Sequence, residues 1–244
     1  MKKWQPAMRD GLCAACPKHS TIAGGTVGGD CPYCGAALYL SDTLGAPVKN
    51  DPFDFSRLPT YRDPMFDLAP KAKVFVELGT QRGFTAYRAA LHLPNATIHC
   101  VDPWANYDGK PNYVGDMILC WEIFKELHKD NLASGKVVSH KGFSWDVSEE
   151  FHEPVDLLWI DGDHTFIGAF RDLCLWFPKV SVGGVVVGDN YEMHDVRLAV
   201  DRFCQVRGIM PTIGRALGKS TKREQFWFTK RSEDDGEEKT PLDL

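Results

Sequence analysis

The chain has no apolar run long enough to cross a membrane, and its first residues, MKKWQPAMRD, lack the apolar core of a secretory signal. It has no internal repeat and no dominant charge sign. Its 28 lysines and arginines against 33 acids leave a net charge of −5, which gives little support to a general nucleic-acid surface. A cytoplasmic protein with no membrane partner is expected. What remains is ordinary for a globular chain: 43% hydrophobic and 25% charged residues over 244 positions. That length suffices for one good core and one small appendage.

The stretch that carries most information is Lys73–Asp102, KVFVELGTQRGFTAYRAALHLPNATIHCVD. An apolar run (Val74, Phe75, Val76) reaches Glu77 and turns through Gly79 and Gly83 into a helical segment. A second apolar run, Thr97–Val101, stops at Asp102. Strand, glycine turn, helix, strand and terminal carboxylate are the parts of a nucleotide-binding βαβ unit. The turn reads E-L-G-T-Q-R-G, so Gln81 stands where a dinucleotide fingerprint has its middle glycine, and a close pyrophosphate is poorly provided for. A P-loop is excluded, because no Gly-Lys-Ser/Thr closes the turn. Such a turn suits a ligand without phosphate but with a cationic amino-acid end, facing Glu77, and a ribose. Asp102 would accept hydrogen bonds from the ribose hydroxyls.

Further along, Val155–Ile160 is apolar enough for a strand buried on both faces, and it ends in Asp161, Asp163 and His164. Thr165–Phe177 has apolar residues at helical spacing, Ser181–Gly184 reads as a turn, and Val185–Val187 as another buried strand ending in Asp189 and Asn190. Two strands thus deliver polar residues at their carboxyl ends, where open α/β sheets bind ligands. His164 suits a general base near neutral pH, or it caps the following helix. Asp163 is expected as the helix cap. Val137–His140 is a short strand, Asp195–Val206 a helix, and Gln225–Thr229 a late aromatic strand.

ELGTQRGFTA followed by VDPW resembles the first two motifs of class I S-adenosylmethionine-dependent methyltransferases. WIDGDHTF, a helix, VGG and a strand ending in GDNY resemble the subgroup of macrolide sugar O-methyltransferases and cephalosporin-hydroxylase-like proteins. The resemblance spans about 74–228. It implies an α/β, Rossmann-like sheet, mostly parallel with the last strand antiparallel. It implies S-adenosylmethionine as cofactor and transfer to a hydroxyl of a small molecule or sugar. It places Glu77, Gly79, Thr80, Gly83, Asp102, Trp104, Phe143 and Ser144 at the cofactor. Trp104 either stacks on the adenine or is a core aromatic. His164 or Asp161 would be the catalytic base. The same resemblance implies a Mg²⁺ site at Asp161, Asp189 and Asn190, although the Asn190 amide removes one negative charge that the subgroup's pattern has there. Two rivals share these features: a hydroxylase-like relative on the same scaffold, and a non-catalytic adaptor that binds ligand or partner without turnover.

Of the eight cysteines, four lie close together as two C-x-x-C pairs, Cys13–Cys16 and Cys31–Cys34, with 14 residues between the pairs. Two such turns make a tetrahedral Cys₄ zinc site, and the loop between them has too few apolar side chains to fold without that staple. The segment resembles a zinc ribbon and suits a structural or protein-docking role better than a nucleic-acid one. The other four, Cys100, Cys120, Cys174 and Cys204, read as small buried hydrophobes. The expected organisation is a zinc ribbon over 1–40 and a linker packed on the core over 41–70. A methyltransferase domain over 71–230 and a disordered acidic tail over 231–244 follow. The loop Asn106–Val114 is a candidate lid.

Overall fold

The computed structural model describes residues 62–106, 116–215 and 224–232, together with Phe55, Leu58 and Thr60. The cysteine quartet, most of the 41–70 linker, the lid loop beyond Asn106 and the tail beyond Ser232 lie outside the described residues. The chain divides into two compact units, Met1–Leu58 with Trp104–Leu127, and Pro59–Pro103 with His128–Leu244.

The larger unit is an α/β sheet. Its strands are β1 (Val74–Leu78), β2 (Thr97–Asp102), β3 (Val137–Lys141), β4 (Val155–Ile160), β5 (Val180–Gly188), β6 (Thr212–Arg215) and β7 (Glu224–Thr229). They lie in the order β3-β2-β1-β4-β5-β7-β6. The pairs from β3 through β5 are parallel, and β7 runs antiparallel to both β5 and β6. The chain winds outward from β1 in one direction to β2 and β3, and in the other from β4 to β5. The β1/β4 boundary is therefore the topological switch point, where a crevice forms beyond the strand ends. Leu78 pairs with Ile160, which sets the turn after β1 beside Asp161.

Helices α1 (Phe84–His92), α4 (Ser144–Glu150), α5 (Phe166–Trp176) and α6 (His194–Arg207) belong to the same unit, as does the short α3 (Lys129–Ala133). Its core is aromatic. Phe177 meets Phe203 edge-on at 5.3 Å, Phe203 stacks near Phe228 at 6.1 Å, and Phe151 packs on Trp176 at 5.3 Å. Each such ring removed from water contributes roughly 2 kcal/mol or more. Alternation along β7 sets its two faces: Phe226 and Phe228 are buried, while Trp227 between them turns to the opposite face.

One expectation is corrected here. Ser181–Gly184 is not a turn before a strand but part of β5. The register jumps from Val155↔Val180 to Leu157↔Val185, and the extra residues bulge out at Gly183, whose φ of 85° only glycine adopts readily. Gly183 N–H donates to Lys230 O and Lys230 N–H to Gly184 O, so the bulge still satisfies its backbone groups.

In the smaller unit, α2 (Met117–Leu127) presents Met117, Cys120, Ile123, Phe124 and Leu127 as a buried stripe. Asp116 caps it, its Oδ1 accepting the N–H groups of Ile118 and Leu119 at 3.0 and 3.4 Å, and Asn106 buttresses the cap. Trp104 packs against Trp121 and Phe124 of the same unit at 4.7 and 4.8 Å. No helix among the described residues is long and apolar enough to cross a membrane.

Candidate active site

The turn from β1 to α1 is knitted to the end of β2. Gly79 and Thr80 donate their N–H groups to Val101 O, and the Gln81 N–H donates to Asp102 Oδ2 at 2.9 Å. Gln81 holds a left-handed φ of 53°. The fingerprint position that usually needs glycine is thus stabilised here by a side-chain acceptor from the next strand. Gly83, also left-handed, precedes α1, and its carbonyl accepts a 2.8 Å bond from His128 Nε2. Burial lowers the His128 pKa to about 4, so the ring is neutral and donates this bond through Nε2–H. Nothing in the sequence singled out His128; its function is visible only as a buried imidazole on a backbone carbonyl.

Gly79 approaches backbone closely, as expected, but the backbone belongs to β4's exit. A Cβ there would stand 2.2 Å from Asp161 O, and φ is +83°. The glycine allows the two strand ends to meet. Glu77, the carboxylate before the turn, is wholly buried, and its Oε2 has no hydrogen-bond partner. Desolvation raises its pKa to about 8, against the opposing pull of Arg62 and the bonds from Thr80 and Thr85. A buried acid held partly protonated by its surroundings is suited to a cationic ligand, which would restore its charge.

Beyond β4, alternation puts Trp159 and Asp161 on one face. Asp161 Oδ1 lies 3.3 Å from His164 Nε2, and its Oδ2 accepts from Arg62 Nη2 at 2.6 Å. Arg62 Nη2 also donates to Asp189 Oδ2, at the end of β5, at 2.8 Å, and Nη1 donates to Thr85 Oγ1 at 2.8 Å. The guanidinium lies over the Trp159 ring at 5.2 Å. Sequence reasoning left Arg62 in the linker, with no signal beyond its charge. Burial pulls the His164 pKa down, but the bond to Asp161 and the fields of Asp161, Asp189 and Asp163 outweigh it and raise it above the ordinary value. A narrow cavity beside them is lined by Asp161, Gly162, Asp163, His164 and Asp189, with Phe226 and Val200 behind.

Residues 76–191 match the family model described as a methyltransferase domain. The match covers just under half of the chain and makes this segment similar to methyltransferase domains. Among solved structures, the O-methyltransferase TomG of tomaymycin synthesis from Streptomyces achromogenes, in complex with SAM, is 17% identical with a TM-score of 0.54. It covers 73% of this chain and 84% of its own. The O-methyltransferase from Bacillus cereus in complex with SAH is 16% identical at a TM-score of 0.53, over 71% of this chain and 84% of its own. An rRNA methylase from Streptococcus thermophilus, 12% identical at a TM-score of 0.51, covers 73% of this chain and 99% of its own. These likenesses show the fold of the domain, and relatives so different in acceptor show that the fold does not choose one. No curated protein matches the sequence.

The domain departs from the sequence reading in two local ways. The cap of α5 is Thr165, whose Oγ1 accepts the Gly168 N–H at 3.1 Å, and neither Asp163 nor His164 fills that place. Asp163 instead accepts the Thr165 N–H at 3.0 Å and lies over the first turn, where a Cβ on Gly168 would meet it at 2.4 Å. Asn190 has a φ of 63°, a conformation that asparagine tolerates better than most residues, so local backbone explains the amide. After β3, Ser144 Oγ donates to Asp172 Oδ1 of α5, and Phe143 stacks on Trp145 at 4.3 Å. Asp172 is buried, with a pKa that desolvation raises to about 6 despite the Ser144 bond. An acid on the apolar face of α5, between Ala169 and Trp176, was the overlooked sign of that contact. Of the scattered cysteines, Cys100, Cys120 and Cys204 are buried and Cys174 half-buried, and burial pushes the Cys204 thiol up to about 12.

Proposed function

We propose that this chain is a cytoplasmic O-methyltransferase acting on a hydroxyl of a small molecule or sugar, with His164 as general base. The observation that carries the reading is the Asp161–His164 contact at the sheet's switch point, beside the glycine turn. Buried Glu77, with its Oε2 open, fits the ammonium of S-adenosylmethionine, Asp102 its ribose, and Gly79, Thr80 and Gly83 the turn around it. Phe143 and Ser144 are proposed at the adenine. When bound, the cofactor supplies a methyl group already activated on a sulfonium. The chain's own residues then have little to do but align and deprotonate. With its Nε2–H donated to Asp161 Oδ1, His164 would take the acceptor's hydroxyl proton at Nδ1 as the methyl group passes to the oxygen and the sulfur keeps its electron pair. Asp161 orients the imidazole and stabilises its protonated form. A raised pKa makes His164 a stronger base, and it also requires higher pH to free it. Cys13, Cys16, Cys31 and Cys34 are proposed to hold one structural zinc, in a ribbon that docks a protein partner.

Calorimetric titration of the full chain with S-adenosylmethionine and S-adenosylhomocysteine tests the cofactor. Micromolar binding of both is expected, weakened by about tenfold in Asp102→Ala. No binding of either would leave the adaptor reading in its place.

A further inference from the structure

The carboxylates expected to hold Mg²⁺ already hold a cation. We propose that Arg62 is the resident cation of the Asp161–Asp189 pair, so that this site works without a divalent metal. The geometry is specific. One guanidinium nitrogen, Nη2, bridges Asp161 Oδ2 and Asp189 Oδ2 at 2.6 and 2.8 Å, the two oxygens that face each other across β4 and β5. The group is held on two further sides, by Thr85 Oγ1 at the start of α1 and by the Trp159 ring. Side-chain exposures of 16% for Arg62, 14% for Asp161 and 0% for Asp189 leave little water to screen the ion pairs.

Magnesium needs oxygen lone pairs about 2.1 Å away in an octahedron. Here the bridging lone pairs are engaged in charge-assisted hydrogen bonds, and the guanidinium between them cannot lose its charge at any ordinary pH. A dication brought to the same oxygens would meet that charge at close range. Charge counting agrees. Two carboxylates with one guanidinium carry the same net −1 as three carboxylates with one dication. Relative to three carboxylates, an amide at Asn190 and the guanidinium of Arg62 together make up the two positive charges that a dication would bring. The arrangement also leaves Asp161 Oδ1 for His164. Arg62 is thus a positioning residue: it fixes the carboxylate that orients the base. This deepens the reading of the site given above, yet its test needs no methyl acceptor.

The test is Mn²⁺ titration of the full chain in metal-free buffer, following the electron paramagnetic resonance signal of free Mn²⁺. The proteins compared are wild type, Arg62→Ala, Arg62→Lys, Asp189→Asn, and Arg62→Ala combined with Asp189→Asn. Wild type and Arg62→Lys should show no site that Asp189→Asn removes. Arg62→Ala should gain one Mn²⁺ per chain, at least about tenfold tighter than any wild-type binding, and the double variant should lose it. Sites elsewhere on the chain, such as the cysteine quartet or acidic tail, would persist in the double variant and so are told apart. If Arg62→Ala does not fold, Arg62→Gln supplies the same comparison with some hydrogen bonding kept. Two results overturn the proposal: wild-type Mn²⁺ binding that Asp189→Asn abolishes, or no gain on removing the guanidinium. Failure to bind S-adenosylmethionine would leave either result readable.

Discussion

Replacing Glu77 with glutamine should stabilise the protein at neutral pH, although it removes a charged group from the centre of the site. The folded-state pKa of Glu77 is about 8, against 4.5 for the free side chain. Between those values the folded chain keeps a proton that the unfolded chain releases. Its contribution to stability therefore falls as pH rises through that window, by about 1.4 kcal/mol per pH unit, and levels off above it. Glutamine does not titrate, so the gap between variant and wild type should widen by about 2 kcal/mol from about pH 6 to about pH 7.5. Burial is the main cause of the shift, and the groups that modulate it, Arg62, Asp161, Thr80 and Thr85, are the same in both proteins. His164 and His128 also titrate with folding, with opposite signs, and they cancel in the difference. Urea unfolding of both proteins across that range measures the effect. Parallel stability curves would refute the argument, because they would mean that Glu77 is ionised in the folded chain. The same substitution should weaken S-adenosylmethionine binding, since a neutral amide offers no charge to an ammonium.

Gly79→Ala should destabilise the domain by about 3 kcal/mol or more, because the new methyl would overlap Asp161 O at a backbone angle that suits only glycine. An unchanged melting temperature would show that the two strand ends can part at little cost. Wild-type protein should carry about one zinc per chain, and Cys31→Ser should lose it and expose the N-terminal segment to protease. Zinc-free wild-type protein with the same proteolysis pattern would refute the staple.

Local pattern made much of this molecule legible before any coordinates. Apolar runs at Val74–Val76, Thr97–Val101 and Val155–Ile160 can be buried only as central strands, and each leads to an acid: Glu77 within β1, Asp102 at the end of β2 and Asp161 just past β4. Turn chemistry marked Gly79 and Gly83, whose positive φ angles leave few alternatives to glycine. Glu77, Asp102, Asp161 and Asp189 were identifiable because strand-end carboxylates have a place in the fold before they have a partner. The Ser181–Gly184 segment misled because a bulge and a turn use the same glycines, and only pairing with Val155 and Leu157 distinguishes them.

Contacts between distant segments decided the rest. His128 stands 45 positions from the carbonyl it holds, Asp172 lies 28 from Ser144, and Arg62 is 99 and 127 positions from its two carboxylates. An arginine in a proline-rich linker has no periodicity or motif to mark it. Its role arises only when α1, β4 and β5 converge on one point, because an ion pair depends on distance in space and not along the chain. The sequence by itself determined which carboxylates would gather at the switch point. Only the tertiary structure decided which cation they would face.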